Sequence, residues 1–183
     1  MPRVESLPSD QPEPAAPIYQ RVLELDPGNG VALRELGVIH MDAGDFTGAE
    51  QYLRRALAAA PGSLHAHYNL ALLLERTGRS SEALQEWQAA IQADPNDPLA
   101  ADRWAAALVK AGRPDDAVLW LRHALELNPS LIPARLHLAW LLARGPHPES
   151  AGPQLRYVLK LDPANAEALK MLRSLPPPPA SRP

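Results

Sequence analysis

Residues 64–97 read LHAHYNLALLLERTGRSSEALQEWQAAIQADPND, a stretch that holds two amphipathic helix patterns. Apolar residues recur at helical spacing from Ala66 to Leu74 and mark one face of a first helix. Gly78 then interrupts the pattern at a position where a chain leaving a helix favours a positive φ. The second pattern ends before Pro95, because proline disfavours the α conformation in the residue that precedes it. The stretch therefore predicts two helices joined by a tight turn.

The pattern of residues 64–97 recurs along the chain every 34 residues, an interval that we call the repeat period. Five prolines stand one period apart, and so do five alanines: Pro27, Pro61, Pro95, Pro129 and Pro163; Ala15, Ala49, Ala83, Ala117 and Ala151. A period of about 34 residues is typical of tandem helix pairs, because a single pair cannot bury its apolar face alone and does so against the next. We therefore predict an all-α fold of antiparallel helix pairs stacked in an array.

Composition excludes several classes of function. The chain has 183 residues and a net charge of −3, so it offers no overall positive field for nucleic acid. It contains no cysteine, which excludes disulfides and thiolate metal sites. Phosphate-binding glycine loops and hydrolase or metalloprotease motifs are absent, and the six histidines are scattered. We expect no enzymatic activity, with no catalytic, cofactor-binding or metal-binding residue and no cofactor.

The two ends of the chain predict unstructured tails without a targeting segment. Ten of the 21 prolines lie in residues 1–17 and 176–183, where too few apolar residues are present to offset the entropy of ordering. The first residues lack the apolar run of a secretory signal, and no stretch approaches the roughly 18 apolar residues that span a bilayer. We expect a cytoplasmic protein without membrane insertion. The excess of arginine over lysine is typical of a GC-rich, bacterial genome.

The repeated residues resemble the tetratricopeptide repeat (TPR) family, whose unit is a helix–turn–helix of about 34 residues. In the first full copy the matching residues are Leu33, Leu36, Gly37, Ala49, Leu53, Ala56 and Pro61. The resemblance covers roughly residues 15–175 and implies a right-handed TPR superhelix, or α-solenoid. It divides the chain into a tail (1–16), a half-repeat with the second helix only (17–29), TPR 1 (30–63), TPR 2 (64–97), TPR 3 (98–131), TPR 4 (132–165), a C-terminal capping helix (166–175) and a second tail (176–183).

The fourth copy departs from the family pattern. Residues 144–153, which contain its turn, read RGPHPESAGP, with three prolines and two glycines. Pro153 cannot donate a hydrogen bond within the helix that follows. We therefore expect an irregular turn and a second helix that starts late or frays.

The resemblance also implies a binding surface, because in this family the first helix of each pair lines the concave groove of the superhelix. The ligand-facing positions of the family fall here on Arg34, Val38, Met41, Tyr68, Leu72, Arg76, Val109, Lys110, Leu136, Trp140 and Arg144. Trp87 and Trp104 instead stand in columns filled mostly by leucine, which predicts that they are core residues. Exposed apolar residues such as Leu72 and Trp140 are typical of a partner site.

The function that the resemblance implies is a non-catalytic protein–protein interaction module or adaptor, which holds a peptide or a helical segment of a partner in the groove. The expected partner is therefore a protein or a peptide, and not nucleic acid. The alternative is a structural role, in which the ends of the solenoid self-associate to form an assembly scaffold. A homo-oligomer is compatible with either function.

A carboxylate clamp of the kind found in chaperone-binding TPR proteins is disfavoured. Arg34, Asn69 and Arg103 lie at or near the clamp positions. However, Val38 stands where an asparagine is required and Leu99 where a basic residue is usual. Two of the groups that would donate charge-assisted hydrogen bonds are therefore missing.

Overall fold

The computed structural model describes residues 15–176. Within them the chain forms ten α-helices and one 3₁₀ turn and contains no strand, which confirms the all-α prediction. The two predicted tails lie outside the described residues, except at positions 15, 16 and 176. The chain forms two compact units, Met1–Pro61 (unit 1) and Gly62–Pro183 (unit 2).

The helices follow the repeat period of the sequence. The described part of unit 1 contains α1 (Ala15–Leu25), α2 (Gly30–Asp42) and α3 (Phe46–Ala59). The described part of unit 2 contains α4 (Leu64–Arg76), α5 (Ser80–Ala93), α6 (Pro98–Lys110), α7 (Pro114–Leu127), α8 (Ile132–Arg144), the 3₁₀ turn Pro148–Ser150, α9 (Ala151–Leu161) and α10 (Ala166–Ser174). The pairs are α2/α3, α4/α5, α6/α7 and α8/α9, and the even-numbered helix is the first helix of each pair.

The N-terminal boundary differs from the prediction. The first tail is predicted to extend to residue 16, but α1 begins at Ala15. Alanine is the strongest helix former, and Pro17 falls in the first turn, where a helix does not need its N–H. Residues 15 and 16 are therefore helical.

The described part of unit 1 consists of α1 and one helix pair, α2/α3. Gly37 permits the close approach of α2 and α3, because a Cβ on this residue would lie only 2.7 Å from Cγ of Leu53. Both helices of the pair begin with a side-chain cap, from Asn29 for α2 and Asp45 for α3. These caps satisfy backbone N–H groups that have no partner within the helix.

Residues 62–176 of unit 2 contain three successive helix pairs. The second helix of a pair packs against its own first helix and against the first helix of the next pair. Leucine and tryptophan side chains such as Leu70, Trp87 and Leu121 fill the space between the helices and are fully buried. Trp104 is also buried, so the prediction that Trp87 and Trp104 are core residues is confirmed.

Small residues set the spacing within these pairs. Ala71, Ala105 and Ala139 lie midway along α4, α6 and α8, and none of them has accessible surface. Because interiors are close-packed, a methyl group at these positions lets the second helix of the pair approach and leaves no space for a larger side chain.

The turn of the fourth copy is irregular, as predicted. Gly78 and Gly112 occupy the left-handed region in the two regular turns of unit 2, with φ of +77° and +74°. Gly145, the residue that follows α8, aligns with Thr77 and Ala111; all three have negative φ, but ψ is −174° at Gly145 and near 0° at the other two. Pro146 aligns with Gly78 and Gly112. The chain therefore leaves α8 in a different direction from that in which it leaves α4 and α6.

The second helix of the fourth copy starts late, also as predicted. The repeat period places its first residue at Pro148, but residues Pro148–Ser150 form a 3₁₀ turn and α9 begins at Ala151. Pro153 then falls in the first turn of α9, where backbone N–H groups have no acceptor within the helix, so the lack of an N–H on proline removes no helical hydrogen bond.

The last helix, α10, covers the core of the pair α8/α9. Ala168 is fully buried in a cluster with Leu155 and Val158, and Met171 and Leu172 pack partly buried against the same cluster. A terminal helix of this kind shields apolar surface that another repeat would otherwise cover.

Candidate partner-binding surface

Four of the predicted contact residues lie together in unit 2. Val109, Lys110, Leu136 and Trp140 line a pocket of about 280 Å³, which we call the α6–α8 pocket. Glu167, in the first turn of α10, also lines it. The pocket is mostly apolar, with charged side chains among its lining residues.

Trp140 is the most prominent apolar side chain in the lining of the α6–α8 pocket. It lies on α8 and is 38% exposed, although it is one of the largest apolar side chains of the chain. The guanidinium carbon of Arg144 lies 3.9 Å from the centre of its ring. A cation at this distance interacts favourably with the π system. Trp140 therefore offers exposed apolar surface next to a positive charge.

A buried acid orients a histidine at the α6–α8 pocket. Asp102 on α6 has no accessible surface, and its Oδ1 lies 2.6 Å from Nδ1 of His137 on α8. Because an ionised carboxylate can only accept, Nδ1 donates this hydrogen bond, and Nε2 is the ring nitrogen that is left for another partner. The side chain of His137 is 42% exposed and lines the pocket. His137 can therefore form a hydrogen bond with a bound molecule through Nε2.

The burial of Asp102 is not apparent from its position in the repeat. The repeat period aligns it with Tyr68 and Leu136 among the inward-facing positions, yet the structure buries it. The sequence signal for its role is the spacing of 35 residues between Asp102 and His137, because residues at this spacing contact each other across neighbouring first helices. Three contacts have this spacing: Asp102 with His137, Arg103 Nε with the Tyr68 hydroxyl at 3.3 Å, and Lys110 Nζ with Glu75 Oε1 at 2.7 Å.

The predicted contact residues on α4 do not line the α6–α8 pocket. Tyr68 is half-buried, and its ring packs edge-on against Trp87 with 4.8 Å between centroids. Leu72 is half-buried and Arg76 is exposed. Part of the Tyr68 surface is thus used for packing within the unit, and Leu72 and Arg76 remain accessible.

In unit 1 one predicted contact residue is corrected. Met41, in the last turn of α2, is only 5% exposed, so it is a core residue and not a contact residue. Arg34 and Val38 are half-buried, and the guanidinium of Arg34 pairs with the carboxylate of Glu35. Arg34 therefore already has an acidic partner within its own helix.

A second and larger cleft in unit 2 also contains Trp140. Its volume is about 870 Å³, and it shares Val109, Trp140 and Leu141 with the α6–α8 pocket. Its other walls come from the start of α7 and from the irregular turn after α8. Trp140 thus borders two concave surfaces.

The described residues contain neither a metal site nor a membrane span. Within residues 15–176, no group of three or more His, Asp or Glu side chains is arranged to hold a metal ion. In the same part of the chain, no helix is both long enough and apolar enough to cross a bilayer.

Comparison with known proteins agrees with the helix-pair architecture. The tetratricopeptide repeat family matches residues 9–64 and 40–98. No curated protein matches the sequence.

Solved structures with the same fold cover most of the chain. YrrB, described as a TPR protein with an unusual peptide-binding site, is 20% identical, with a TM-score of 0.75 over 86% of this chain and 81% of YrrB. A structure of MamA is 21% identical, with a TM-score of 0.67 over 87% of each chain. A MamA fragment from Desulfovibrio magneticus RS-1 is 19% identical, with a TM-score of 0.70 over 83% of this chain and 86% of the fragment.

The family match and the helix pairs that recur with the repeat period lead to the same assignment. The chain belongs to the tetratricopeptide repeat family, whose fold generally serves protein–protein interaction rather than catalysis.

Proposed function

We propose that this protein is a non-catalytic adaptor that binds a peptide or a helical segment of a partner protein on the first helices of unit 2. The observation that carries the proposal is Trp140, a large apolar side chain that is 38% exposed, contacts the guanidinium of Arg144 and lines two concave surfaces. A tryptophan in this setting is the type of residue that dominates binding energy at protein interfaces.

The contact surface combines apolar and polar groups. Leu136, Val109 and Trp140 supply apolar area in the pocket, and Leu72 on α4 is a further predicted apolar contact outside it. Burial at about 25 cal/mol per Å² by a few such side chains supports micromolar binding after the entropy of association is subtracted. Nε2 of His137 adds a polar group that can hydrogen-bond to the bound segment and orient it.

The charged residues orient the partner. Arg76 and Arg144 make no ion pair with the described residues, whereas Lys110 is already paired with Glu75 at 2.7 Å. In unit 1, Arg34 and Val38 remain predicted contacts. The peptide-binding site attributed to YrrB, which shares the fold, supports a peptide as the partner.

Affinity capture from a lysate of the source organism tests this function. The bait is the full chain, compared with the double variant Leu72→Ser, Trp140→Ser. A matched control is Leu119→Ser, which removes an exposed leucine of α7 that lines neither pocket. We expect a protein captured by the wild type and by the control to be lost with the double variant. Capture of the same proteins by all three baits would contradict the proposal.

Self-association through α1 is a second candidate function. α1 contributes no buried residue, and Ile18 and Leu25 on it are 49% and 78% exposed. α10 packs over the core of the last pair, which argues against self-association at the C-terminal end. Light scattering of the wild type and of Ile18→Glu, Leu25→Glu tests this candidate. A mass that rises with concentration only in the wild type supports it, and a monomer at all concentrations excludes it.

A further inference from the structure

The two junctions between successive helix pairs of unit 2 differ in size. The junction between α4/α5 and α6/α7 holds a pocket of about 270 Å³ that is lined by Glu75 and Lys110. The equivalent junction, one period further along, holds the cleft of about 870 Å³. Val109 and Arg144 occupy there the positions of Glu75 and Lys110. We call it the Arg144 cleft.

The two junctions also differ in charge. At the first, the carboxylate of Glu75 on α4 pairs with the ammonium of Lys110 on α6 at 2.7 Å. At the second, Val109 offers no carboxylate, and Arg144 forms no ion pair with any described residue. Its guanidinium lies over Trp140 instead. A guanidinium that stacks on an aromatic ring still has N–H groups in its plane to donate to an anion.

The irregular turn of the fourth copy forms one wall of the Arg144 cleft. Gly145 and Pro146 line it, and Ser150 of the 3₁₀ turn borders it where a regular second helix would already have begun. The extra space at this junction therefore coincides with the departure of residues 144–153 from the repeat pattern.

The charges around the Arg144 cleft favour an anion. Arg122 on α7 is exposed, lines the cleft and, like Arg144, forms no ion pair with the described residues. Asp115, in the first turn of α7, is the opposing carboxylate, where it also complements the free N–H groups of that helix. His147 faces Glu149, with 3.3 Å between Nδ1 and Oε1. Two cations without acidic partners thus stand against one carboxylate.

We propose that the Arg144 cleft binds an acidic residue of the partner segment, together with an apolar side chain next to it. The carboxylate of the partner takes at Arg144 the place that Glu75 takes at Lys110, and the apolar side chain packs on Val109, Val118 and Trp140. This inference rests on the proposed function and specifies the chemistry of the partner.

The test is a selection of random linear peptides, displayed on phage, with the full chain as the target. We expect the wild type to enrich peptides with a Glu or Asp adjacent to an apolar residue. The most enriched peptide is then synthesised and measured with two variants. Val109→Glu supplies the missing carboxylate and closes the cleft by pairing with Arg144, and Val109→Gln is its neutral control. Glu75 shows that a glutamate is tolerated at this position of the repeat.

The two variants separate the charge from the shape of the side chain. We expect the peptide to bind Val109→Glu at least about tenfold more weakly than Val109→Gln, the change expected for the loss of one charge-assisted hydrogen bond. Replacement of the peptide's acid by its amide should weaken binding to the wild type by a similar factor. Circular dichroism of both variants checks that they remain folded.

The outcomes distinguish this inference from the proposed function. Peptides without an acidic residue, or equal binding to Val109→Glu and Val109→Gln, overturn the inference. If such peptides still lose binding to Leu72→Ser, Trp140→Ser, the adaptor function stands. If no peptide is enriched, or the double variant binds as well as the wild type, both proposals fall.

Discussion

The carboxylate of Asp102 on α6 accepts a hydrogen bond from Nδ1 of His137 on α8, with 2.6 Å between the two atoms. Asp102 has no accessible surface, and its Oδ2 is buried without a partner in the described structure. The hydrogen bond joins the first helices of two successive pairs. It is also the contact that turns Nε2 of His137 outward, so the same pair of residues contributes to stability and to the candidate surface.

Removal of His137 should be destabilising, because it leaves a buried carboxylate without its partner. We expect His137→Ala to lower the free energy of unfolding by about 2–3 kcal/mol. The double variant Asp102→Ala, His137→Ala should lose less than the sum of the two single variants. Urea denaturation of the four proteins measures the coupling. Additive losses would show that the two side chains do not interact energetically.

The regular turn after α6 and the irregular turn after α8 should respond differently when their glycine is replaced by alanine. Gly112 has φ of +74°, so Gly112→Ala forces a left-handed conformation on alanine and should lower the free energy of unfolding by about 1 kcal/mol. Gly145 has φ of −82°, and a Cβ there would make ordinary contacts, at 3.5 and 3.6 Å, with two carbonyl oxygens of α8. Gly145→Ala is therefore the matched control and should have almost no effect. Thermal unfolding of both variants checks this, and equal losses would refute the conformational argument.

The burial of Ala71 indicates that the pair α4/α5 is tightly packed and does not tolerate a larger side chain at this position. It has no accessible surface, and an indole in its place would force the two helices apart. We expect Ala71→Trp to lower the free energy of unfolding by about 3 kcal/mol or to prevent folding. Gln85→Trp places the same side chain at an exposed position of α5 and serves as the control. A wild-type melting temperature for Ala71→Trp would contradict the packing of this pair.

The cap of α3 predicts a dependence on pH in unit 1. The N–H of Gly48 donates a hydrogen bond to the Asp45 carboxylate and, with the side chain of His40, lowers the pKa of Asp45 below its ordinary value of 3.8. The pKa of Asp45 is lower in the folded chain than in the unfolded chain. The cap therefore stabilises the fold at pH values above the ordinary pKa range of aspartate. This stabilisation is lost as the pH falls through the native pKa.

The carboxyl ¹³C chemical shift of Asp45, followed as the pH is lowered, measures this pKa directly. Asp45→Asn keeps a capping oxygen and removes the titrating group, so its helicity should depend less on pH below about pH 4 than that of the wild type. A midpoint at or above the ordinary value would contradict the role of the cap.

Much of the architecture can be read from local patterns. The repeat period and the stop at each proline predict the helix pairs, and Trp87 and Trp104 are recognisable as core residues because leucine fills the same columns. The late start of α9 follows from the three prolines in residues 144–153. These features depend on backbone sterics and on the alternation of apolar faces, both of which act over a few residues.

The candidate surface depends on contacts that the period does not specify. Met41 is buried although its position in the repeat predicts a contact residue. Asp102 is buried, and a hydrogen bond from a histidine on the next first helix offsets part of the cost of burying its carboxylate; neither residue alone reveals this partner.

The sequence by itself thus determined the helices, their pairing and their turns, since helix propensity, proline and glycine act locally. Only the tertiary structure decided which of the predicted contact residues are exposed and that the Arg144 cleft is larger than its counterpart at Lys110. The physical reason is that exposure and cavity volume depend on side chains from several helices at once. A single difference between repeats, such as Val109 at the position of Glu75, changes both the charge of a junction between helix pairs and the ion pair that closes it.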